Sequence, residues 1–562
     1  MSEAAPTSPG RANSDGFAPL REAVFRWLWI ASLAANVGQW VREVGAGWLM
    51  KDLSESSRLM VALLQAATTL PLFLLSIPAG ALADVLDRRR LILVCQIISV
   101  VLAAGLAALA YAGQAGPWTL FSAALGLGVC AALSNPAWQT VMTDLVPRDQ
   151  LPAAASLNSV SLNLSRAIGP TIGGVVVALS GPWATFALSA LALVGVCVVL
   201  ASRKPRLPNR TVRAERFLGA MKAGVRYVRY SAPVRAVLVR TLSFVPPAVA
   251  LWALMPVVAS EHLRLDSRGY GLMLGALGVG AVGAGFGLPG LRLRLGPNRL
   301  LALGTLVYAA GVATIALAPL GWVGIAMMVP VGAGWITLVT SLNVAAQSGA
   351  PAWVRGRALA CYLSAFFGCW ALGSIVWGLV AERVSLVATL LASVALLVLG
   401  LATLARWRLR LVDADELDGS NHWEDPRPAQ HVAPDDGPVV ITIRYRIRPE
   451  DAQAFQEAMA PVATTRYRDG AISWMLSRDT EEPERWLEVF IVESWEEHLR
   501  QHQRVTRADR RVQEAARAFH QGPGKPEVWH LIAADVRPAR EAVRTDGADE
   551  DQSREPGDPE RG

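Results

Sequence analysis

The chain has 562 residues, of which 52% are hydrophobic and only 18% charged, with a formal net charge of +7. A soluble domain averages about 25% charged residues, and the deficit falls on the stretch from about Val24 to Arg406, so the chain as a whole is not an ordinary soluble enzyme. The basic residues sit in short clusters between apolar runs rather than on one face, a spacing that sets membrane orientation and argues against a nucleic-acid surface.

In chain order, Met1 to about Ala18 is polar, lacks the apolar core of a cleavable signal, and is expected to be a disordered cytoplasmic tail. Twelve apolar stretches of roughly 20 residues, enough to cross the hydrocarbon, follow: Phe25–Leu49, Leu59–Ala83, Leu91–Ala112, Trp118–Thr143, Leu157–Leu179 and Trp183–Ala201, then Val234–Ala259, Tyr270–Leu291, Leu300–Leu317, Gly321–Ala346, Ala358–Val380 and Leu386–Ala405. A longer gap, about Ser202 to Ala232, divides six from six. Its part from about Glu215 to Tyr230 reads as a basic amphipathic helix, with Phe217, Met221, Val225 and Val228 on one side, suited to an anionic inner leaflet. The expected organisation is an all-α membrane unit, with six-helix halves at 19–202 and 233–411 joined by a cytoplasmic linker at 203–232. A linker at 412–437, a soluble α+β domain at 438–536 and a disordered tail at 537–562 complete it. All five cysteines lie in apolar runs without metal-ligand spacing and read as small buried residues.

Loops alternate in charge. One set carries Arg88–Arg90, Arg148, the basic run 203–216, Arg292, Arg294, Arg299, Arg355 and Arg357; the other carries only Lys51, Arg58, Arg264, Arg268 and Arg383. The richer set is expected to be cytoplasmic, with both termini on that side of a bacterial inner membrane. The halves also match at a fixed offset of 204: Trp48 with Trp252, Pro147 with Pro351, Gly169 with Gly373 and Gly174 with Gly378. Two similar bundles are the layout of secondary transporters with a site at the repeat interface.

The loop from Gly80 through Asp84 and Asp87 to Arg88, Arg89 and Arg90 resembles the signature loop of the major facilitator superfamily, with Asp87 where that family has Gly. The run Arg166, Gly169, Pro170, Gly173, Gly174 resembles the glycine–proline motif of exporters in the superfamily. The stretch Leu145–Gly174, with Val37–Trp40 and Gly47–Leu49, is similar to the group containing the enterobactin exporter. A long form of that group carries a soluble domain with a motif like Trp495 to Asp509, similar to antibiotic-biosynthesis monooxygenases. The resemblance implies secondary active transport, most simply efflux of a small hydrophobic, siderophore-like or drug-like molecule in exchange for protons. It implies a conformational latch built on Gly80, Asp84, Arg88 and Arg89, with Asp144 as a partner for Arg88 or Arg89; the simpler reading is that the arginines only set topology.

Within spans, charges are costly and tend to be functional. Asn36, Gln39 and Glu43 share one face of the first span and are candidates to line a cavity. Glu43 is the candidate proton carrier, with a structural ion pair to Arg42 as the alternative. Asn163 and Arg166 form a second candidate site for an anionic substrate. Asn135, Gln139, Asn343 and Gln347 fit either a cavity or helix–helix glue, and Arg240 is expected to snorkel to the surface. Gly169, Pro170, Gly173 and Gly174 suit either a bend that seals the path or plain close packing.

In the soluble part, strands at Val439–Arg448, Ala471–Arg478, Trp486–Trp495 and Glu527–Ala533 alternate with helices at Pro449–Thr465 and Glu496–Phe519. The order βαββαβ is ferredoxin-like. His498 and His502 have a metal-compatible i, i+4 spacing, but the sequence offers no evident third ligand, so neither a metal nor a cofactor is expected. No Asn occurs between Pro438 and Val536, which weakens the match to active sites that use one. The domain is expected to pair with another copy or to regulate transport, and the chain is expected not to be an enzyme. A cytoplasmic oxidoreductase or sensor acting on the cargo is the competing reading.

Overall fold

In a computed structural model, the chain is described over residues 17–54, 57–202, 217–351, 353–410, 412–420, 422–423, 426 and 428–534. The expected N-terminal tail up to residue 16, the basic run 203–216 and the stretch from 535 onward lie outside these residues. The chain divides into two compact units at Asp418/Gly419.

The first unit is helical: α1 (Ala23–Leu53), α2 (Arg58–Val85), α3 (Arg88–Tyr111), α4 (Pro117–Asp144), α5 (Leu151–Ser180), α6 (Pro182–Ser202), α7 (Phe217–Tyr230), α8 (Ala232–Val257), α9 (Ser267–Leu317), α10 (Gly321–Ser348), α11 (Arg355–Arg383) and α12 (Leu386–Gly400), then the short α13 (Thr403–Arg406) and α14 (Ala414–Leu417). Among the described residues ten helices are long and apolar enough to cross a membrane. One of them, α9, runs 51 residues and breaks at Gly296, whose φ of 72° only glycine adopts readily; Pro297 follows it. The sequence had ended one span and begun another on either side of that break. The 31-residue α1 falls outside the ten because Arg26, Arg42, Glu43 and Lys51 dilute its apolar character. Large side chains such as Val101, Leu179, Leu191, Phe286 and Leu317 stand exposed on the outer faces. So much uncovered apolar surface suits lipid rather than water.

Short caps start the helices at the loops. Ser57 accepts from the Met60 amide, Asp87 from Arg90, Asp266 from Gly269 and Ser385 from Ala388. Asp87, in the place of a family glycine, is thus the N-cap of α3. The Arg240 guanidinium, expected at the surface, is instead 6% exposed and donates to the Gly400 carbonyl and the Thr403 hydroxyl. Those acceptors lie where α12 frays, so the freed backbone of one element accepts from the buried cation of another. Helix α7 is also more than a surface helix: Tyr227 is buried, donates to the Gly349 carbonyl and stacks edge-on with Trp353.

The repeat shows in what equivalent residues touch. A Cβ on Gly169 would come 2.6 Å from the Trp40 Cβ on α1, and one on Gly373 would come 3.3 Å from Pro246 on α8, each the first long helix of its own half. A Cβ on Gly174 would come 2.8 Å from Gly271 on α9, and one on Gly378 would come 2.6 Å from Ala62 on α2. Both of these cross between halves, so α5 lies along α9 and α2 along α11. Lipid offers no hydrophobic drive for helix pairing, and such seams depend on close backbone approach.

The second unit has β1 (Val439–Arg446), α15 (Ala452–Asp469), β2 (Ala471–Arg478), β3 (Arg485–Val492), α16 (Trp495–Arg504), α17 (Arg507–Arg517) and β4 (Glu527–Ile532). The strands form one antiparallel sheet in the order β2-β3-β1-β4. Where the sequence suggested a single helix over Glu496–Phe519 there are two, because Thr506 and Asp509 form a reciprocal capping box that starts α17. Part of the stretch read as a plain linker is built onto this unit: Gly419 bridges Thr506, the Ser420 amide donates to the Val505 carbonyl, and Trp423 donates to Gln513.

Glu488 on β3 is fully buried and accepts from Arg466 at 2.9 Å, Trp474 at 3.1 Å and Tyr445 at 3.0 Å. Burial alone pushes its carboxyl up, but the Arg466 charge and these hydrogen bonds outweigh burial and hold it below the usual carboxylate range. Its stabilising contribution is therefore present above the unfolded value of about 4.3 and is lost as pH falls through the lower folded value.

Two outcomes follow. Gly174→Val forces backbone apart at the α5–α9 seam at a cost of about 1–3 kcal/mol and lowers the unfolding temperature in detergent, whereas Gly195→Val, where a Cβ meets nothing within 4 Å, leaves it unchanged. Glu488→Gln strands the Arg466 charge at a cost of about 3–5 kcal/mol. Hydrogen exchange of β1 and β3 then rises at neutral pH, and less of their protection is left to lose on acidification than in the unaltered chain.

Candidate functional site

The first helical half encloses a cavity of about 570 Å³ between α1, α2, α3, α4, α5 and α6. Its polar lining includes Asn36, Gln39 and Arg42 on α1, Gln96 and Ser99 on α3, Asn135 and Gln139 on α4, and Asn158 on α5. Ser32 near the start of α1, Gln139 near the end of α4 and Ala154 in the first turns of α5 put it toward the end that carries the arginine-rich loops. A separate smaller space of about 40 Å³, lined by Glu43, Gln65 and Thr68, shares Arg42 and Leu127 with it as lining residues.

Arg42 lines both spaces and Glu43 the smaller, while Arg166 lines neither. Arg42 donates to Ser189 on α6 at 3.0 Å, and Arg42 and Arg166 are the cations whose field reaches the Glu43 carboxylate. Arg166, on α5, lies over the Trp40 ring at 5.8 Å, and the Tyr270 hydroxyl of α9 also feels the Glu43 charge. Glu43 thus sits where α1 and α5 of one half face α9 of the other.

Of the residues singled out in the sequence, Asn36, Gln39 and Gln139 line the larger cavity and Glu43 the smaller. Asn36 donates to Ser161 across to α5, and Gln139 to Asn135 one turn earlier. Asn163 is turned onto the Ser159 carbonyl of its own helix. Asn343 pairs with Gln347 on α10, outside this cavity, as Asn135 pairs with Gln139 on α4. Gly169 and Gly173 let α5 close on Trp40, Val41 and Val44 of α1, while Gly174 touches Gly271 and the Pro170 carbonyl meets the same glycine. The motif packs two helices at once, and α5 remains helical through Pro170.

The signature loop is partly described. Gly80 and Asp84 fall in the last turns of α2 and Asp144 ends α4, but their side chains lie outside the described residues. Arg89 donates to the Leu200 and Ala201 carbonyls at the end of α6, where the helix dipole favours a cation; the expected pairing of Asp144 with Arg88 or Arg89 rests on a side chain outside the described residues. Arg88 begins α3 beside it.

The contacts between halves that the sequence did not reveal lie at the opposite end. The Glu382 carboxylate of α11 accepts from the Ser57 hydroxyl at 2.6 Å and the Leu59 amide at 2.9 Å, capping the start of α2. Arg58 donates to the Ala381 carbonyl at 2.7 Å and pairs with Glu261 at 3.2 Å. These four residues flank short loops, and only their spatial meeting marks them. The second half adds an aromatic cluster in which Trp252, Trp335 and Trp370 lie 5.3–5.6 Å apart, ringed by Phe244 and Phe366.

The soluble unit has its own cavity of about 400 Å³, lined by Trp423, Arg466, Phe490, His498, His502, Arg517, Lys525 and His530. His498 is 1% exposed, and although the Gln501 side chain lies alongside, neither ring nitrogen meets hydrogen-bond geometry with a partner. Burial, with the neighbouring His530 and His502 rings, pushes its imidazole down to about 3, so the ring is neutral at physiological pH.

Comparison with known proteins places these features. The family model described as transmembrane secretion effector matches residues 14–538. The multidrug efflux pump Tap of Mycolicibacterium fortuitum is 28% identical over 403 residues, which is 68% of this chain and 95% of that protein. The enterobactin exporter EntS of an Escherichia coli strain is 24% identical over 263 residues, 47% of this chain and 62% of the exporter. Among solved structures, a bacterial homologue of the lysosomal transporter Spinster, in an inward-facing unoccupied conformation, superposes with a TM-score of 0.55 at 14% identity. It covers 69% of this chain and 96% of that one, a likeness of fold. The chain belongs to the transmembrane secretion effector family of the major facilitator superfamily: it is a multi-pass membrane transporter, not an enzyme.

Proposed function

We infer that this transporter is a proton-coupled exporter of small hydrophobic, siderophore-like or drug-like molecules, working by alternating access in a bacterial inner membrane. The reading takes twelve spans in two six-helix halves: the ten apolar helices, the second length of α9 beyond Gly296, and α1. Both termini and the arginine-rich loops are cytoplasmic on the positive-inside bias. The larger cavity then lies toward the cytoplasm, while Glu382, Ser57, Arg58 and Glu261 hold the outer end shut. The relatives named as a multidrug efflux pump and an enterobactin exporter support efflux and this cargo class.

The observation that carries the reading is the position of Glu43, lining the smaller space that shares Arg42 and Leu127 with the cavity, within the field of Arg42 and Arg166 and one turn before Gly47, which lies against the other half's Tyr270. An intramembrane carboxylate there marks a functional site by default, and proton exchange is the role that suits an exporter driven by a gradient. In the cycle, cargo enters among Asn36, Gln39, Asn135 and Gln139, and Arg166 offers countercharge to an anionic group. Protonation of Glu43 from outside weakens its hold on the two arginines and resets the cytoplasmic-open state. On release of the outer end, the loop built on Gly80, Asp84, Arg88, Arg89 and Asp144 latches the cytoplasmic end. Gly169, Pro170, Gly173 and Gly174 keep α5 close to both α1 and α9 as the halves rock.

The strand order and connections of the second unit support a ferredoxin-like domain, related to the monooxygenase-like domains of the long-form relatives. Its cavity suits a sensor role that binds rather than transforms, and the domain is a candidate for pairing between two copies of the chain.

The test is uptake of a lipophilic dye by inverted membrane vesicles with an imposed proton gradient. Glu43→Gln is expected to reduce uptake to the level seen without a gradient while gradient-independent dye exchange persists. Normal gradient-driven uptake by that variant removes Glu43 from the coupling step.

A further inference from the structure

The soluble unit holds six of the seven histidines of the chain, and three of them converge. His498 and His502 stand one turn apart on α16, and His530 reaches them from β4. The His498 ring centroid lies 4.9 Å from that of His502 and 4.8 Å from that of His530. One nitrogen from each ring falls within 4.8 Å of the others. We propose that His498, His502 and His530 bind one divalent transition-metal ion, with an open coordination position facing the cavity.

Several observations converge on this site. His498 is buried with both nitrogens unpartnered, a costly state for a polar ring in a packed interior unless something else engages it. Two further histidines of the soluble unit are bonded elsewhere. His422, though on the same cavity wall, is bonded to Ser420 and Gln513 through its two nitrogens, and His520 accepts from the Arg446 amide. The convergence is therefore selective rather than a general richness in histidine. Three nitrogens about one ion at about 2.0–2.1 Å stand roughly 3.4 Å apart. The rings close in by no more than about 1.4 Å to reach that geometry, a movement that side-chain rotation on α16 and β4 supplies. An all-imidazole set without thiolate or carboxylate selects late first-row ions, zinc foremost, over calcium or magnesium. Three protein ligands leave a fourth position for an exogenous donor. The cavity in front of them is lined by Arg466, Arg517 and Lys525 with the Trp423 and Phe490 rings, a wall suited to an anionic, partly aromatic ligand that completes the coordination. The geometry assigns binding, and no reaction, to this ion.

The sequence carried half of this signal in the His498–His502 spacing. The third ligand lies 28 residues beyond His502 and comes into reach only when β4 adds to the edge of β1.

The test uses the full chain purified in detergent and stripped with a chelator. After loading with zinc ion and desalting, about one zinc per chain is expected by mass spectrometry. Cobalt loading is expected to give the intense visible absorption of a four-coordinate site. Zinc retention falls to background in His498→Ala and in the milder His530→Gln, while His431→Ala, at an exposed position, retains it. Elution as a single species shows that each variant is folded. A pale six-coordinate cobalt spectrum from the unaltered chain, zinc at background in that chain, or unchanged zinc in both His498→Ala and His530→Gln overturns the proposal. The cobalt spectrum needs no variant, so a folding defect leaves the test decisive.

Discussion

The helical unit depends on how closely two halves approach in a medium that gives apolar side chains no reason to prefer each other over lipid. Van der Waals contact and a few polar bonds must do what hydrophobic burial does in water. Glycines allow it: Gly174 against Gly271 and Gly378 against Ala62 bring α5 to α9 and α11 to α2 at distances that a single added carbon would violate. Because these seams are equivalent under the repeat, the halves hold each other symmetrically. At one end, Glu382 bridges to the cap of α2 and Arg58 to Glu261. Away from that end, the bundle encloses its large polar cavity. On the proposed function, seam, bridge and cavity together make a two-state element, since bonds that close one end must be exchanged for bonds at the other if cargo is to cross.

Charge inside the bundle is arranged with the same economy. Arg42 is tied to Ser189 and Arg166 rests on Trp40, so both cations are fixed on the first half while Tyr270 approaches from the second. Glu43 lies among them. On the proposed function, a proton arriving there changes the balance of a site that spans the halves, which is the minimum requirement for coupling a gradient to their motion. The buried Arg240 has a different character. It donates to the frayed end of α12 and belongs to the architecture of the second half.

Much of this was legible in sequence because bilayers impose simple rules on composition. Runs of apolar residues located the helices, the Tyr270–Leu291 and Leu300–Leu317 gap anticipated the break at Gly296, and the 204-residue offset picked out glycines that do the same work in each half. What remained hidden requires knowledge of which distant residues meet. Nothing in the sequence singled out Glu382, His530 lay in an ordinary strand, and Arg240 looked like a snorkelling cation. The split between α16 and α17 was different, since Thr506 and Asp509 carry a visible capping-box spacing that the longer helical pattern concealed. The side chains of Asp84 and Asp144 fall outside the described residues, so the family's signature loop contributes Arg89 on α6 and the Asp87 cap to the structural account.

The central claim is that the two halves must part at the end held by Glu382 for cargo to leave. Ser57→Cys and Glu382→Cys, placed in a chain whose five native cysteines are replaced and joined by a short bis-thiosulfonate reagent, lock that end in the arrangement where these side chains meet at 2.6 Å. The account predicts that dye transport stops on linking and returns on reduction. Undiminished transport by the fully linked protein would contradict it.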